Sequence, residues 1–414
     1  MKIVLWRGFH SAALLEILSE ALESKLLCIL CPPHLKNYDF LDFLPKGEVT
    51  LVGEWNQEER TQAEDKITTR TFAEMPEVPN FGVFTSGTLS FNPSLILFRK
   101  QEVEHSLQSI LDLFKAETAE KIICYPQPFH IFGLTLGYIH SLLWKKPLKT
   151  PDGRYQKSFH DVWLSSDRKG LLTLGAPVHF FDLLQRTTDS LESSDSSSIC
   201  GGARVSPELW NKFQTQLGIK YPSIGYGATE ACPGLSHLPP GMPPQESGDI
   251  GYWLKGVETF EHPSGFEFSG PNKCFARISE NSSGKFELDF PKKVLIKDDL
   301  LIKDGRIIYQ GRCDLKMNRG GEKFSLELIE EKIQESLGMP VLATALSDSR
   351  LGEKLGLCVQ SISNVPDIKK RCKEIVEKNF QWILQDHEIQ VLENFPINAN
   401  GKWDRKKATR SLKE

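Results

Sequence analysis

The sequence lacks an excess of charge of either sign: 50 Lys and Arg stand against 54 Asp and Glu, a formal net charge of -4 with a pI near 6.3. Nucleic-acid binders present a strongly basic face, so DNA and RNA are not expected partners. It also lacks a long apolar run. The opening MKIVLWRGFHSAALLEIL is interrupted by Arg7 and His10, and nothing later approaches the ~20 apolar residues of a membrane span. Membrane insertion is not expected, and nothing directs the chain out of the cytoplasm. Paired cysteine spacing is missing too. The nine cysteines are odd in number and irregular, the usage of a reducing compartment rather than of a disulfide scaffold. Cys28 and Cys31 form a CxxC, but inside the apolar LLCILC and with no second pair or nearby His, which argues against zinc and predicts buried strand residues. No repeat with a period of roughly 20 to 50 residues is visible.

What is present is an ordinary globular composition, 40% hydrophobic and 25% charged over 414 residues, enough for a large core and at least two domains. For the first three quarters, apolar runs bounded by turns alternate with amphipathic segments. KIVLW, KIICY, GLLTL and SSIC read as strands, Gln101 to Phe114 and Pro177 to Leu184 as helices, giving an α/β region. Ser206 is a natural N-cap with Pro207 at the first helical position, and Gly218 closes that helix before a strand at Ile219 to Tyr221. The Ser-rich stretch Asp189 to Ser198 has little to bury and predicts a surface loop. From Phe260 to Gln310 short β-like runs suggest a small antiparallel or barrel-like subdomain. After Gly311 a helix over Leu326 to Leu337 closed by Gly338, a strand over Val341 to Leu346, a helix over Pro366 to Phe380 and a basic tail suggest a separate α+β piece of about 100 residues. The expected division is 1–311 and 312–414.

Five segments carry candidate chemistry. Thr85-Ser86-Gly87-Thr88 follows an apolar run, and its small hydroxyl residues can turn backbone and side-chain donors onto phosphate oxygens. Gly201-Gly202-Ala203 ends one strand and Gly225-Tyr226-Gly227-Ala228-Thr229-Glu230 follows the next, so two consecutive strand ends form a crevice of small residues. There a flat adenine can approach the backbone with Tyr226 stacked on it, and Glu230 can hold Mg²⁺, which takes one or two carboxylates plus phosphate oxygens. Asp298-Asp299, Gly311-Arg312-Cys313-Asp314 and Asn318-Arg319-Gly320-Gly321-Glu322 come next, then Asn400-Gly401-Lys402. Carboxylates suit ribose hydroxyls, Arg suits phosphate, and Lys on a turn is a mobile point charge. Taken one at a time, each of these residues is more often a turn, a packed ring or solvated charge.

In order and spacing together, TSGT, GGA, GYGATE, GDIGYW, GRCDLKMNRGGE and NANGKWDR resemble the adenylate-forming superfamily of acyl-CoA synthetases, luciferases and peptide-synthetase adenylation domains, over roughly residues 80 to 410. The resemblance implies a large N-terminal α/β domain with a small β-barrel-like subdomain, and a small mobile α+β C-terminal domain. It implies activation of a small carboxylic acid by Mg-ATP and transfer to coenzyme A, by a monomer or homodimer. Carried residue by residue, it gives Thr85, Ser86, Gly87 and Thr88 to the phosphates, and Gly201, Gly202, Ala203, Tyr226, Gly227 and Thr229 to the nucleotide. It gives Glu230 to Mg²⁺, Asp299 to the ribose, Arg312 to ribose or phosphate, Asp314 to the interdomain hinge, and Lys402 to the carboxylate and α-phosphate. His130, in PFHIFG, matches the position gating the acyl pocket, and Gly320 and Gly321 the thiol tunnel. Length and the run GGARVSPEL to GYGATE most resemble the o-succinylbenzoate-CoA ligase branch. Other readings are another small acyl- or aryl-CoA synthetase, a carrier-protein adenylation enzyme, or a degenerate nucleotide binder.

Three departures stand out. Leu89 to Ser94 lacks the Gly and Lys that usually continue the phosphate loop, the ribose Asp follows Lys297-Asp298 so that Asp298 or Asp299 can serve, and the part before the phosphate loop is short.

Overall fold

A computed structural model describes residues 1–23, 26–33, 35–85, 93–114, 119–151, 157–187, 189–281, 283–361, 365–396 and 403–413. The chain divides into two compact units. The first comprises Met1–Phe260, Glu267–Ile296 and Ile302–Ile308, the second Glu261–Phe266, Lys297–Leu301 and Tyr309–Glu414.

Two seven-stranded sheets build the first unit. The apolar runs at Lys2–Arg7 and Leu26–Cys31 pair in parallel, with Glu48–Gly53 beyond the first and Phe81–Phe84 beyond the second. Strands covered on both faces read as unbroken hydrophobic runs, which is why LLCILC is buried throughout. Cys28 and Cys31 are buried there, and burial pushes the Cys31 thiol up to about 12. Antiparallel Leu95–Phe98 follows, and two strands from the β-rich stretch, Ala276–Glu280 and Phe286–Asp289, complete this sheet rather than standing apart from it.

The second sheet runs in the order Tyr252–Trp253, Gly234–Leu238, Ile219–Gly227, Ser194–Gly201, Leu171–Gly175, Lys121–Cys124, Leu148–Lys149. Its last five strands are parallel. Helices Pro177–Arg186 and Pro207–Thr215 join them, the second capped by Ser206, whose hydroxyl accepts the Leu209 N–H at 3.2 Å. Gly218 has φ +66°, and a Cβ there would overlap the Glu192 carbonyl oxygen, so the turn into the next strand requires glycine.

One expectation fails here. The Ser-rich stretch is not all loop: Ser194–Gly201 is a strand between two parallel neighbours, with Ser196, Ser197 and Ser198 buried. Ser198 lies opposite Thr173 on one side and Pro222 on the other. Ladder bonds on both edges satisfy the backbone, and small hydroxyls fit under covering helices, so position in the sheet outweighs side-chain polarity.

The second unit holds a five-stranded sheet, Glu322–Ser325, Lys316–Arg319, Gly352–Gln360 and Val341–Asp348 in that order, with Ile389–Leu392 also pairing Gly352–Gln360 in parallel. Helix Leu326–Leu337 is capped by Ser325, buries Ile329, Ile333 and Leu337, and ends at Gly338 with φ +71°. Helix Val365–Phe380 adds Ile368, Cys372 and Val376 to the same core. The architecture is α/β, a large N-terminal α/β unit with a smaller α+β C-terminal one. No described helix is long and apolar enough to cross a membrane.

Candidate active site

The carboxyl ends of adjacent parallel strands are where open α/β sheets leave a crevice. Gly201 and Gly225 are register partners at two such ends. A Cβ on Gly201 would lie 2.8 Å from the Gly225 carbonyl oxygen and 3.7 Å from the Phe132 ring, so only glycine keeps this floor flat. Gly202, at φ +82° with open space around it, and Ala203 are exposed. At Gly227 a Cβ would overlap the Pro233 carbonyl oxygen, to which the Ala228 N–H donates at 3.1 Å. Tyr226, near the end of the strand Ile219–Gly227, and Thr229 and Glu230, on the turn that follows it, are half-buried, and the turn is held by the Cys274 N–H donating to the Glu230 carbonyl at 2.8 Å. The described residues contain no group of three or more His, Cys, Asp or Glu suited to a metal. A half-buried carboxylate such as that of Glu230 has the chemistry taken by an ion carried on phosphate oxygens, which uses one or two protein carboxylates.

His130 sits beyond the strand Lys121–Cys124, its N–H donating to the Gln127 carbonyl at 3.0 Å and its ring 4.8 Å from that of Phe129. The chain then enters a π-helical stretch, Gly133–Ile139. Its close seat on the strand depends on glycine: a Cβ at Gly133 would overlap the carbonyl oxygens of Pro126 and Gln127, and one at Gly137 would meet Cys124 Sγ at 2.5 Å. Phe132, just before it, is the ring that reaches Gly201. Thr85 ends Phe81–Phe84 in the other sheet; its N–H donates to the Ser94 carbonyl at 2.8 Å and its Oγ1 accepts the Ser94 N–H at 3.1 Å. Ser86, Gly87 and Thr88 lie outside the described residues.

Sequence reading misses a group beside His130. The turn after the first strand brings Phe9 to Phe129, rings 6.1 Å apart, and His10 to Tyr138, with Nδ1 and the hydroxyl 3.1 Å apart. His179, third residue of its helix, accepts the Ala176 N–H at Nδ1 (2.9 Å) and lies 5.5 Å from the Tyr125 ring. Burial lowers both His10 and His179 to about 4, so both are neutral at pH 7. The available signals were an aromatic–His pair directly after a strand and a His in the first turn of a helix.

In the second unit Arg312 grips Asp314 with two hydrogen bonds, Nε to Oδ1 at 2.9 Å and Nη2 to Oδ2 at 2.7 Å, and its Nη1 lies 3.7 Å from Asp298. The Arg312 N–H and the Tyr309 hydroxyl both donate to Glu327 Oε2, at 2.7 and 3.1 Å. Hydrogen bonding to Asp314 holds the guanidinium above its ordinary pKa. Burial pushes the Asp314 carboxyl up, but the Arg312 fork and charge outweigh it and leave it below the usual range. Strand alternation separates the two ribose candidates: Asp298 is buried toward Arg312, whereas Asp299 takes a 2.7 Å contact from Lys316 Nζ. Gly320 and Gly321, at φ +63° and +92°, form the turn of a hairpin with nothing within 4 Å of either Cβ position. Lys402 lies outside the described residues. On either side of its segment, the Asp404 N–H donates to the Pro396 carbonyl at 2.7 Å and the rings of Phe395 and Trp403 stand 5.2 Å apart. Arg405 forks onto buried Glu330, Nη2 to Oε2 at 3.0 Å, and donates to the Ala343 carbonyl at 2.7 Å.

Comparison with known proteins gives concordant matches. The AMP-binding enzyme family matches residues 19–260. A beta-alanine-activating enzyme of Drosophila melanogaster is 26% identical over 193 residues, 44% of this chain but only 19% of that protein. The acyl-CoA ligase cnsG of Penicillium expansum is 23% identical over 361 residues, 78% of this chain and 73% of the relative. Among solved structures, o-succinylbenzoate coenzyme A synthetase (MenE) from Bacillus subtilis, in complex with ATP and magnesium ion, aligns with TM-score 0.76 at 17% identity, covering 99% of this chain and 89% of that one. ATP-bound MatB from Rhodopseudomonas palustris aligns with TM-score 0.73 at 14% identity, covering 100% and 89%. At these identities the structural likeness shows the fold.

Proposed function

The chain belongs to the AMP-binding enzyme family, and on that premise we propose that it is an AMP-forming acid–thiol ligase, which condenses a carboxylic acid with ATP to acyl-AMP and pyrophosphate and then passes the acyl group to coenzyme A. The observation that carries this reading is the floor of Gly201 and Gly225, register partners at the strand ends, with Tyr226 next to Gly225 on the same strand and the turn bearing Glu230 just after it. Such a floor admits a flat base close to backbone, with Tyr226 beside it. Magnesium, carried on the phosphates and held by Glu230, supplies charge neutralisation when bound. His130 gates the acyl side, and Thr85 to Thr88 offer donors to the phosphates. Arg312, with Asp298 or Asp299, takes the ribose side.

Residues 1–311 and 312–414 serve as two functional domains, with Asp314 as the hinge and Lys402 as the cation brought to the reacting carboxylate and α-phosphate. Negative charge grows there during in-line attack, and a preorganised cation stabilises it more than the starting state. Gly320 and Gly321, with no side chain to obstruct, line the path of the thiol. We further propose that the acid is o-succinylbenzoate, that the pathway is menaquinone synthesis and that the setting is cytoplasmic. The branch resemblance of GGARVSPEL to GYGATE and the fold shared with the Bacillus subtilis synthetase support that choice.

ATP–pyrophosphate exchange with Mg²⁺ and a panel of acids, followed by addition of coenzyme A, tests both levels. Exchange with o-succinylbenzoate and formation of its coenzyme A thioester are expected. Exchange with another acid alone would refute the pathway and keep the ligase; silence across the panel with ATP still bound would make the chain a nucleotide binder.

A further inference from the structure

Along the second sheet, the strands next to the nucleotide floor are Leu171–Gly175 and Lys121–Cys124. The acyl group is joined to the α-phosphate, so its tail must leave the floor in some direction, and these strand ends continue the same carboxyl edge. What stands there is layered. Tyr125, Tyr138 and Phe129 are buried, at 1%, 1% and 3% exposure, and Phe9, His10, His130 and His179 lie half-buried over them.

We propose that Phe9, His10 and His179 form the selecting wall of the acyl subsite, and that this wall takes a flat aryl acid in preference to an aliphatic one. The inference rests on the ligase reading above and deepens it.

Three features support the assignment. First, the imidazoles are fixed by their edges. His10 is tied through Nδ1 to the Tyr138 hydroxyl, which also accepts the Ser11 N–H at 3.3 Å, and its ring is stacked on Tyr138 with centroids 6.0 Å apart and planes 7° apart. His179 is tied through Nδ1 to the Ala176 N–H. Rings held this way present faces of set orientation and lose little freedom on binding. Second, both imidazoles are neutral at pH 7, because burial holds each near 4. A neutral flat ring attracts another flat ring by offset or edge contacts beyond its area burial, an advantage an alkyl chain cannot share. Third, the wall is made by two separate parts of the chain. Phe9 and His10 come from the turn after the first strand of one sheet and meet Phe129 and Tyr138, while His179 comes from a helix on the other sheet and meets Tyr125. The N-terminal turn thus contributes to acid choice.

The test is pyrophosphate release by the full chain with Mg-ATP, comparing 4-oxo-4-phenylbutyrate and o-succinylbenzoate with decanoate. The wild-type protein should favour the aryl acids by at least about tenfold in kcat/KM. His10→Leu and His179→Leu should each reduce the aryl-to-aliphatic ratio about tenfold, chiefly through KM. His179→Leu also removes the acceptor for the Ala176 N–H, so His179→Gln, which keeps an acceptor and removes the ring, should reduce the ratio as the Leu variant does, whereas His10→Phe, which keeps a flat ring, should hold it within about threefold of wild type. Decanoate used as well as the aryl acids, or both Leu variants lowering all acids by one common factor, would overturn the wall while leaving the ligase reading in place. Silence with every acid would overturn the ligase reading and the wall with it.

Discussion

The two units present different materials to a ligand. Around Gly201 and Gly225 the first unit offers backbone and small residues at the ends of paired strands. Around Arg312 the second offers charge held by charge: Arg312 on Asp314 and Asp298, Lys316 on Asp299. A floor made of backbone changes only if a sheet moves. A partly exposed ion pair is worth roughly 0 to 1 kcal/mol and exchanges partners readily. The contrast suits a reaction in which the nucleotide stays on a permanent surface while the charged groups of the C-terminal unit serve successive steps.

The largest expected effect separates the units by stability. Arg405→Ala leaves Glu330 buried without its cation, which should cost about 3–5 kcal/mol. Hydrogen exchange should show that loss in the amides of Leu326–Leu337 and Val341–Asp348, with the sheet around Gly201 unchanged. Uniform loss in both would mean that the units do not unfold independently. Next, Lys402→Ala should lower pyrophosphate exchange by ~10²–10³ with ATP binding nearly intact, since a cation acting on developing charge contributes little to ground-state binding. An unchanged exchange rate would remove Lys402 from the chemistry. Gly201→Ala should do the opposite. Its Cβ would press on the Gly225 carbonyl oxygen at 2.8 Å, and overpacking of about 1–3 kcal/mol should weaken ATP binding roughly tenfold to a hundredfold by calorimetry. Equal affinity would show that the floor is not the nucleotide surface. The smallest effect is at the hinge: proline fixes φ near −65°, so Asp314→Pro should lower thioester formation relative to adenylation about tenfold. An unaltered ratio between the two half-reactions would place the hinge elsewhere.

Local chemistry was legible in the sequence where it is also local in the structure. Ser206 and Pro207 open a helix, Ser325 and Gly338 bracket another, and the GGA and GYGATE segments fall on adjacent strand ends as their order suggested. Long-range placement was not legible. Ser196 to Ser198 are polar, yet two neighbouring strands make them interior. Asp298 and Asp299 are neighbours with similar chemistry, and only strand alternation turns one to Arg312 and the other to Lys316. Phe9 and His10 carry no motif at all. Their meaning comes from Phe129 and Tyr138, more than a hundred residues away, which packing alone brings near.

The measurement that bears most directly on the central claim is mass spectrometry of the protein with Mg-ATP and o-succinylbenzoate, first without and then with coenzyme A. The account predicts an acyl-adenylate of the acid with equimolar pyrophosphate in the first stage, and its replacement by the coenzyme A thioester and AMP in the second. ADP and phosphate as products, or a thioester formed with no adenylate detectable beforehand, would contradict it.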